Sequence, residues 1–319
     1  MKILVTGGAG FIGSHLADSL LEKKHQIYSI DDLSTGSMDN ISHLNSNDNY
    51  NFIYGDIRNE LIMDRLVSKC DAVYHLAAAV GVNLIINDPI RVMDTNIKGT
   101  EMLLKICNRY KKRIVVASTS EIYGKSDKIP FSESDDRILG STEKSRWSYS
   151  SSKAIDEYYS LAYNKQYGLE TIIVRLFNTV GPRQTGQYGM VMPRFVKNAI
   201  NNKQLNVFGD GSQIRTFGYV KDVVRGLELL MDNDNSVGEI FNIGGDEQIS
   251  ILNLAEKIIG MTSSKSKINF VPYKEAYADG FEDMKIRKPD ISKINSFTGY
   301  KPLMNLDGII KSIIDYYKN

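Results

Sequence analysis

The chain has 319 residues, a formal net charge of +1 and 42% hydrophobic residues, with two cysteines and four histidines. This length suggests one large domain or two modest ones. The near-neutral charge gives no footprint for nucleic acid or an anionic membrane surface, and no run approaches the roughly 20 apolar residues of a membrane span. The cysteines and histidines lack metal-ligand or disulfide spacing. We therefore expect a cytoplasmic protein that binds neither metal, nucleic acid nor membrane.

Short apolar runs alternate with helical patterns through the first half of the chain. Such alternation predicts a parallel sheet covered by helices on both faces, and right-handed crossovers then give an α/β doubly wound (Rossmann) fold. The predicted strands are 2–6, 26–30, 51–54, 72–76, 113–117 and 171–176, and the predicted helices are 11–22, 60–68, 95–110 and 149–167.

The regular alternation stops after about residue 181, where prolines and glycines interrupt it. We expect a first domain over residues 1–180, with segments near 215–245 returning to it, and a smaller C-terminal lobe formed mainly by residues 181–319. The two should share an interface, because no linker-like segment separates them. In this half the predicted helices are 193–201, 220–232, 251–259 and 306–317, and the predicted strands are 205–208 and 239–243.

A glycine-rich loop follows the first predicted strand, with Gly7, Gly10 and Gly13 spaced as Gly-x-x-Gly-x-x-Gly. Glycine permits the tight turn, lets the backbone approach a pyrophosphate and allows close helix–strand packing. Phe11 and Ile12 begin the following helix, whose first N–H groups and dipole favour phosphate. This order of strand, glycine loop and helix predicts a dinucleotide-binding site.

Acidic residues at the ends of the next two strands complete that site. Asp31 lies about 20 residues after the loop, where a carboxylate accepts hydrogen bonds from the adenosine ribose. It disfavours a 2′-phosphate, so we expect NAD rather than NADP. Asp32 is a second candidate for the same role, and Asp56 and Ile57 are expected at the adenine edge.

Tyr149 and Lys153 are four residues apart in a predicted helix, so their side chains share one face. The ammonium should lower the pKa of the phenol, which could then take a proton from a hydroxyl as hydride leaves the same carbon. Thr119 and Ser120 lie after the fifth strand and can polarise the substrate oxygen. Lys153 can also hold the nicotinamide ribose.

These motifs together resemble the extended short-chain dehydrogenase/reductase family of nucleotide-sugar epimerases, dehydratases and decarboxylases. The resemblance implies tightly held NAD, a nucleoside-diphosphate sugar as substrate, with a UDP-sugar favoured, and a homodimer formed through the helices 95–110 and 149–167. It extends over the whole chain, and the second lobe would then bind the nucleotide sugar. Its motifs imply cofactor contacts from Leu76, Ala77, Ala78 and Asn96, and substrate contacts from Val80, Asn178, Arg183, Arg215 and Arg287.

The two residues after Thr119 bear on the reaction subtype. Dehydratases of the family typically have Asp-Glu there, whereas this chain has Ser120 and Glu121, as in UDP-glucuronate decarboxylases. Arg287, the run 277–290 around it and the sequence 146–149 are also similar to those decarboxylases, whereas the loop 78–82 departs from them. Glu121 can relay a proton near carbon 5, and Arg287 can steer the sugar or stabilise charge.

The leading hypothesis is therefore NAD-dependent decarboxylation of UDP-glucuronate. Three alternatives stay open from the sequence: a 4,6-dehydratase, for example of a UDP-N-acetylhexosamine, a UDP-sugar 4-epimerase, and a non-catalytic dinucleotide sensor. The presence of Thr119, Tyr149 and Lys153 argues against the sensor.

Overall fold

The structure is a computed structural model that describes residues 1–186, 190–272 and 284–318. Within these ranges the strands are β1 (Lys2–Thr6), β2 (Gln26–Asp31), β3 (Tyr50–Tyr54), β4 (Ala72–His75), β5 (Arg113–Thr119), β6 (Thr171–Leu176), β7 (Thr179–Val180), β8 (Leu205–Phe208), β9 (Ile214–Thr216), β10 (Gly218–Tyr219), β11 (Ile240–Ile243), β12 (Gln248–Ser250), β13 (Ile268–Val271) and β14 (Ile286–Arg287).

The helices lie between these strands. They are α1 (Phe11–Glu22), α2 (Glu60–Lys69), α3 (Val82–Asn87), α4 (Pro89–Met93), α5 (Gly99–Tyr110), α6 (Arg146–Tyr167), α7 (Val191–Ile200), α8 (Val220–Met231), α9 (Ile251–Thr262), α10 (Ser292–Thr298) and α11 (Leu306–Lys318). No helix in the described part of the chain combines the length and apolar character needed to cross a membrane.

The main sheet is parallel, with seven strands among the described residues in the order β11-β6-β5-β4-β1-β2-β3. The strand order reverses between β1 and β4, and such a switch point opens a crevice at the carboxyl ends of the strands. Apolar side chains cover the sheet on both faces, as parallel strands require. The predicted doubly wound α/β fold is confirmed.

A second apolar cluster lies beyond β6 and packs α7, α9 and α11 together through residues such as Phe195, Leu254 and Ile310. Small sheets join this region, with β9 between β12 and β14 and with β8 beside β13. The chain then returns to the main sheet, because β11 pairs in parallel with β6.

Most predicted elements occur within a few residues of their predicted ends. β5 extends to Thr119 because Ser118 and Thr119 pair with Arg175 and Leu176 of β6. The helix predicted over 95–110 begins instead as a π-type turn, Asp94–Lys98, and continues as α5. The sequence did not predict the short elements α3, α4, α10, β7, β9, β10, β12, β13 and β14.

Candidate active site

A cavity of about 490 Å³ opens at the carboxyl ends of the main-sheet strands and is also lined by residues that follow β7 in the chain, such as Arg194 and Phe208. This is where an open α/β sheet is expected to bind its ligand. Most of the predicted site residues line it: Gly7, Gly10, Phe11, Ile12, Gly13, Asp31, Asp32, Asp56, Ile57, Leu76, Ala77, Ala78, Val80, Thr119, Ser120, Glu121, Tyr149, Lys153, Asn178, Arg215 and Arg287.

The glycine loop has the close backbone packing that a pyrophosphate site needs. Gly7 has a φ of +71°, which favours glycine, and a Cβ on Gly13 would lie 2.1 Å from the Gly7 carbonyl oxygen. Gly10 caps α1 without a side-chain hydrogen bond. The first turn of α1 therefore presents backbone N–H groups at the cavity, as an anion site at a helix N-terminus requires.

Asp31 is fixed at the end of β2 by two backbone donors. Its carboxylate accepts hydrogen bonds from Ala9 N at 3.0 Å and Leu33 N at 2.8 Å. Burial raises the pKa of this carboxyl, and the two N–H groups oppose that shift. The arrangement fits the ribose of NAD and disfavours an added phosphate at the same edge.

The other predicted acids are also held in place. Asp32 accepts hydrogen bonds from the backbone and hydroxyl of Ser34. Asp56 forms an ion pair with Arg58 at 2.6 Å, and a side-chain hydrogen bond from Arg58 lowers the pKa of Asp56. Both acids reach the cavity with a partner already in place.

Asn96 is placed behind the cavity wall rather than in it, which differs from its predicted contact with the cofactor. Its side chain is 1% exposed and bonds both backbone groups of Ala79, with Oδ1 2.8 Å from Ala79 N. Its Nδ2 also donates to Ser152 Oγ at 3.2 Å, and that hydroxyl donates to Tyr149 O. Asn96 thus ties the loop that carries Val80 to α6.

Tyr149 and Lys153 share one face of α6, as predicted, but the phenol is not activated by the lysine. The Lys153 Nζ donates to Asp156 Oδ2 at 2.7 Å. Burial is the largest cause of a raised Tyr149 pKa, the Glu121 charge adds to it, and a hydrogen bond with Thr119 opposes it. The predicted lowering of the phenol pKa is therefore wrong, because burial and the charges of Glu121 and Asp156 raise it.

Glu121 lies between two arginines. Arg146 Nη2 is 3.0 Å from Glu121 Oε2, and Arg287 Nη2 is 2.7 Å from Oε1. Burial disfavours the charged carboxylate, but attraction from Arg146, Arg287 and Arg215 outweighs it and lowers the pKa of Glu121 to about 2. Glu121 is therefore an ionised, ion-paired group at neutral pH and is poorly suited to the predicted proton relay.

Arg215 and Arg287 lie side by side, because they pair in register on β9 and β14. Arg287 Nη1 also donates to Asn178 Oδ1 at 3.4 Å. Of the predicted run 277–290, residues 277–283 lie outside the described residues. The cavity therefore contains an amide and adjacent guanidinium groups, a donor set that suits a diphosphate or a carboxylate.

Arg183 does not join this group. Its guanidinium donates to Asp18 Oδ2 at 2.7 Å on α1 and lies 3.4 Å from His43 Nε2. The neighbouring Gln184 lines the cavity, whereas Arg183 is not among the lining residues. The Arg183 side chain therefore pairs with α1 rather than lining the cavity, which differs from its predicted substrate contact.

Three features of the site were missed from the sequence. Asp156 lies three residues after Lys153, so helical spacing could have predicted their ion pair from the sequence. Arg146 stood out only as part of a similar segment, and its ion pair with Glu121 depends on the tertiary fold. His75 is hydrogen-bonded to two threonine hydroxyls, and burial followed by the Lys153 charge lowers its pKa to about 3, so it is neutral.

A doubly wound sheet, a glycine loop with an acid on the next strand, and a tyrosine and lysine on one helix face define the short-chain dehydrogenase/reductase class. Residues 4–313 match the family model described as GDP-mannose 4,6 dehydratase. The chain belongs to this family of NAD-dependent nucleotide-sugar epimerases, dehydratases and decarboxylases, and its cofactor is NAD.

Curated and solved relatives cover nearly the whole chain. It is 40% identical to a UDP-N-acetyl-alpha-D-glucosaminuronate decarboxylase of Bacillus cytotoxicus, over 99% of this chain and 98% of that protein. It is 34% identical to UDP-glucuronic acid decarboxylase 1 of Xenopus tropicalis, over 99% of this chain and 72% of that protein. The structure of a Bacillus cereus UDP-glucuronic acid 4-epimerase with UDP-glucuronic acid and NAD is 33% identical, with a TM-score of 0.90 and coverage of 100% and 99%.

Proposed function

We propose that this protein decarboxylates UDP-glucuronate through a 4-keto intermediate. The observation that carries the proposal, because it disfavours dehydration, is the ion-paired state of Glu121, which is held by Arg146 and Arg287 at the cavity wall. The names of the relatives from Bacillus cytotoxicus and Xenopus tropicalis support the same reaction type.

The first step is common to the whole family. Bound NAD supplies the hydride acceptor for carbon 4 of the sugar. Tyr149 accepts the proton of the 4-hydroxyl, and the Thr119 hydroxyl stabilises the phenolate that proton transfer requires. Lys153 provides positive charge on the same face of α6. The glycine loop and Asp31 fit the pyrophosphate and ribose of the cofactor, so these residues orient the reacting groups.

The second step separates the subtypes. A 4-ketone makes the carbon-6 carboxylate a β-keto acid, whose C5–C6 bond electrons move into an enolate as carbon dioxide leaves. Carbon 5 then takes a proton, and return of the hydride to carbon 4, with a proton to its oxygen, makes the overall conversion redox-neutral, so that the net loss is carbon dioxide alone. A 4,6-dehydratase instead needs a group that removes the carbon-5 proton and an acid that protonates the leaving hydroxyl. Glu121, with a pKa of about 2 between two arginines, is a poor candidate for either task.

A second candidate is UDP-glucuronate 4-epimerisation. It turns the ketone over, returns the hydride and needs no further acid or base, so an ion-paired Glu121 is compatible with it. The likeness to the Bacillus cereus 4-epimerase favours this candidate. UDP-N-acetylglucosaminuronate, which has a 2-acetamido group, is included in the same test because the Bacillus cytotoxicus relative is named as a decarboxylase of that sugar nucleotide.

Product masses decide between these reactions. The protein is incubated separately with UDP-glucuronate, UDP-N-acetylglucosaminuronate, UDP-glucose and UDP-N-acetylglucosamine, without added reductant. Loss of the mass of carbon dioxide from a uronate supports decarboxylation. An unchanged mass with a new retention time on chromatography means epimerisation, and loss of the mass of water from a neutral sugar means dehydration. Either of the last two results in place of carbon dioxide release rejects the proposal.

We also propose a homodimer formed through α5 and α6. On α6, Ile155 is 38% exposed and Tyr158 is 65% exposed, which leaves apolar surface that the sheet does not cover. Light scattering measures the assembly directly. A stable monomer at micromolar concentration would reject the dimer, and Tyr158→Glu should weaken a real one.

The two-part division of the chain is a proposal of the same kind. The NAD-binding part would comprise residues 1–180 with segments near 215–245, and the nucleotide-sugar lobe the remainder of 181–319. In support, the residues that line the cavity from the proposed nucleotide-sugar lobe include Arg194, Phe208 and Arg287. Hydrogen exchange with NAD alone and then with UDP added should protect the two parts separately.

A further inference from the structure

A stripe of polar side chains runs along the buried face of α6. Tyr149, Lys153 and Asp156 are spaced by four and three residues, which keeps them on one side of a helix. Their exposed fractions are 8%, 2% and 0%, so the stripe points into the protein. Ser160 extends it by one more turn through a hydrogen bond from its hydroxyl to Asp156 O at 2.7 Å.

The ion pair between Lys153 and Asp156 is the most enclosed charge pair at the site. Nζ and Oδ2 are 2.7 Å apart, and the two side chains are 3% and 0% exposed. An ammonium has three donors, and this contact commits one of them to a fixed direction. A buried lysine without a counter-charge would be penalised in its charged form.

We propose that Asp156 is a positioning residue that keeps the Lys153 ammonium charged and holds it at one point on the Tyr149 face of α6. The inference rests on the proposed roles of Tyr149 and Lys153 in hydride transfer. Asp156 itself lies one turn beyond Lys153 and is not among the residues that line the cavity.

The surroundings of the pair support this role. Burial raises the Asp156 pKa, while Lys153 and a hydrogen bond with Thr100 oppose that shift. Asp156 in turn contributes to the raised pKa of Tyr149. The Asp156 carboxylate therefore offsets part of the Lys153 charge that acts on the phenol, an effect that the spacing of Tyr149 and Lys153 alone does not reveal.

Other ionisable groups near the stripe are already neutral or paired. His75, on β4, is neutral because burial and the Lys153 charge lower its pKa to about 3. Glu157 is paired with Arg175 at 2.8 Å. The charged groups that act on Tyr149 from other elements are Glu121, after β5, and Arg287, on β14. None of these contacts duplicates the Lys153–Asp156 pair.

The test compares Asp156→Asn with Asp156→Glu and with the matched control Ser160→Ala, which removes a buried hydroxyl from the same stripe. Lysine labelled with carbon-13 at Cε is titrated by NMR, and the Lys153 signal is assigned by its loss in Lys153→Met. In Asp156→Asn the midpoint of the Lys153 titration should move to lower pH than in wild type, because burial then penalises the charge without compensation.

The pH dependence of catalysis should shift in the same direction as the Lys153 titration. The alkaline limb of the kcat profile should move to lower pH in Asp156→Asn, return toward wild type in Asp156→Glu and stay unchanged in Ser160→Ala. Asp156→Ser, which leaves room for water beside the ammonium, is measured in parallel in case Asp156→Asn does not fold. A folded variant whose Lys153 titration is unchanged overturns the inference.

The two proposals fail in different ways. A wild-type protein that modifies no UDP-sugar rejects the proposed function, and the NMR titration still measures the dependence of Lys153 on Asp156. An active wild-type enzyme whose Asp156→Asn variant loses kcat equally at every pH, with no shift of the Lys153 midpoint, rejects the positioning role and assigns Asp156 a purely structural one.

Discussion

Two ion-paired groups lie at or beside the cavity, and they differ in how far apart their members are in the sequence. Lys153 and Asp156 lie three residues apart in one helix and are almost fully buried. Glu121 and Arg287 are 166 positions apart and meet only because β14 aligns with β9 at the cavity wall. The side chain of Glu121 is 18% exposed, so this second group is open to a substrate.

The difference indicates how the family can share one step and vary the next. In the proposed mechanism the common oxidation uses Tyr149 and Lys153, whose spacing on α6 fixes them locally, together with Thr119 at the end of β5. The fate of the keto sugar would then depend on Glu121, Arg146 and Arg287, which come from separate elements, so a change on β14 could alter the reaction without touching the first group. Substitutions in one group at a time test that separation.

The largest expected effect is on the local group. Tyr149→Phe removes the group that accepts the 4-hydroxyl proton, and kcat should fall by about 10²- to 10⁴-fold, the range of general acid–base catalysis. Steady-state kinetics with UDP-glucuronate measures this. Tyr158→Phe is the control, since that side chain lies on the same helix and is 65% exposed. Full activity of Tyr149→Phe on every UDP-sugar tested would show that the proton acceptor is a different group.

The next largest effect is expected from a substitution in the Glu121–Arg287 pair that leaves the Lys153–Asp156 pair intact. Arg287→Met should lower kcat/KM for UDP-glucuronate by about tenfold to a hundredfold, the size of a lost charge-assisted hydrogen bond. Binding of UDP-glucose, which has no sugar carboxylate, should weaken less, as calorimetry can measure. Arg287→Lys should recover part of the loss, because it keeps the charge without the planar fork. Equal losses for both ligands would place Arg287 at the diphosphate instead.

A third prediction concerns pH and stability. The Glu121 pKa is about 2 in the folded protein and 4.5 in its ordinary state. A carboxyl with a depressed folded pKa stabilises the protein above the unfolded value and loses that contribution as pH falls through the folded one. Glu121→Gln should therefore lower the free energy of unfolding by at most about 3 kcal/mol at neutral pH.

The difference between Glu121→Gln and wild type should shrink as pH falls from about 4.5 toward about 2, the two values that bracket the shift. Chemical denaturation at several pH values, over the range in which both proteins fold, measures it. Glu60→Gln, at a side chain that is 54% exposed, is the control and should change little. A constant difference at all these pH values would mean that the ion pairs of Glu121 contribute nothing to stability.

The smallest expected effect is at Arg183. Its ion pair with Asp18 lies outside the cavity, with side chains 19% and 25% exposed. Arg183→Ala should cost less than about 1 kcal/mol of stability and leave kcat and KM near wild type. A marked rise in KM for the UDP-sugar would instead support the substrate contact that the sequence motif predicted for Arg183.

The sequence predicted the fold and the local parts of the site well, because strand–helix alternation and glycine spacing are local signals. It placed Gly13, Asp31 and Tyr149 at one cavity. It did not predict the ion-paired state of Glu121, which depends on a register between β9 and β14 far along the chain. It misjudged the Tyr149 phenol because burial, the dominant effect on its pKa, has no short-range signature.

The return of the chain to the main sheet limits how the protein can be shortened. β11 pairs with β6 along its edge, and most apolar side chains of both strands are buried. A fragment that stops after β6 would leave this strand as an unpaired sheet edge, whose free N–H and C=O groups can pair with another molecule. Dividing the gene after β6 would thus give an aggregation-prone N-terminal fragment. A circular permutation that keeps β6 and β11 together is the safer way to rearrange this fold.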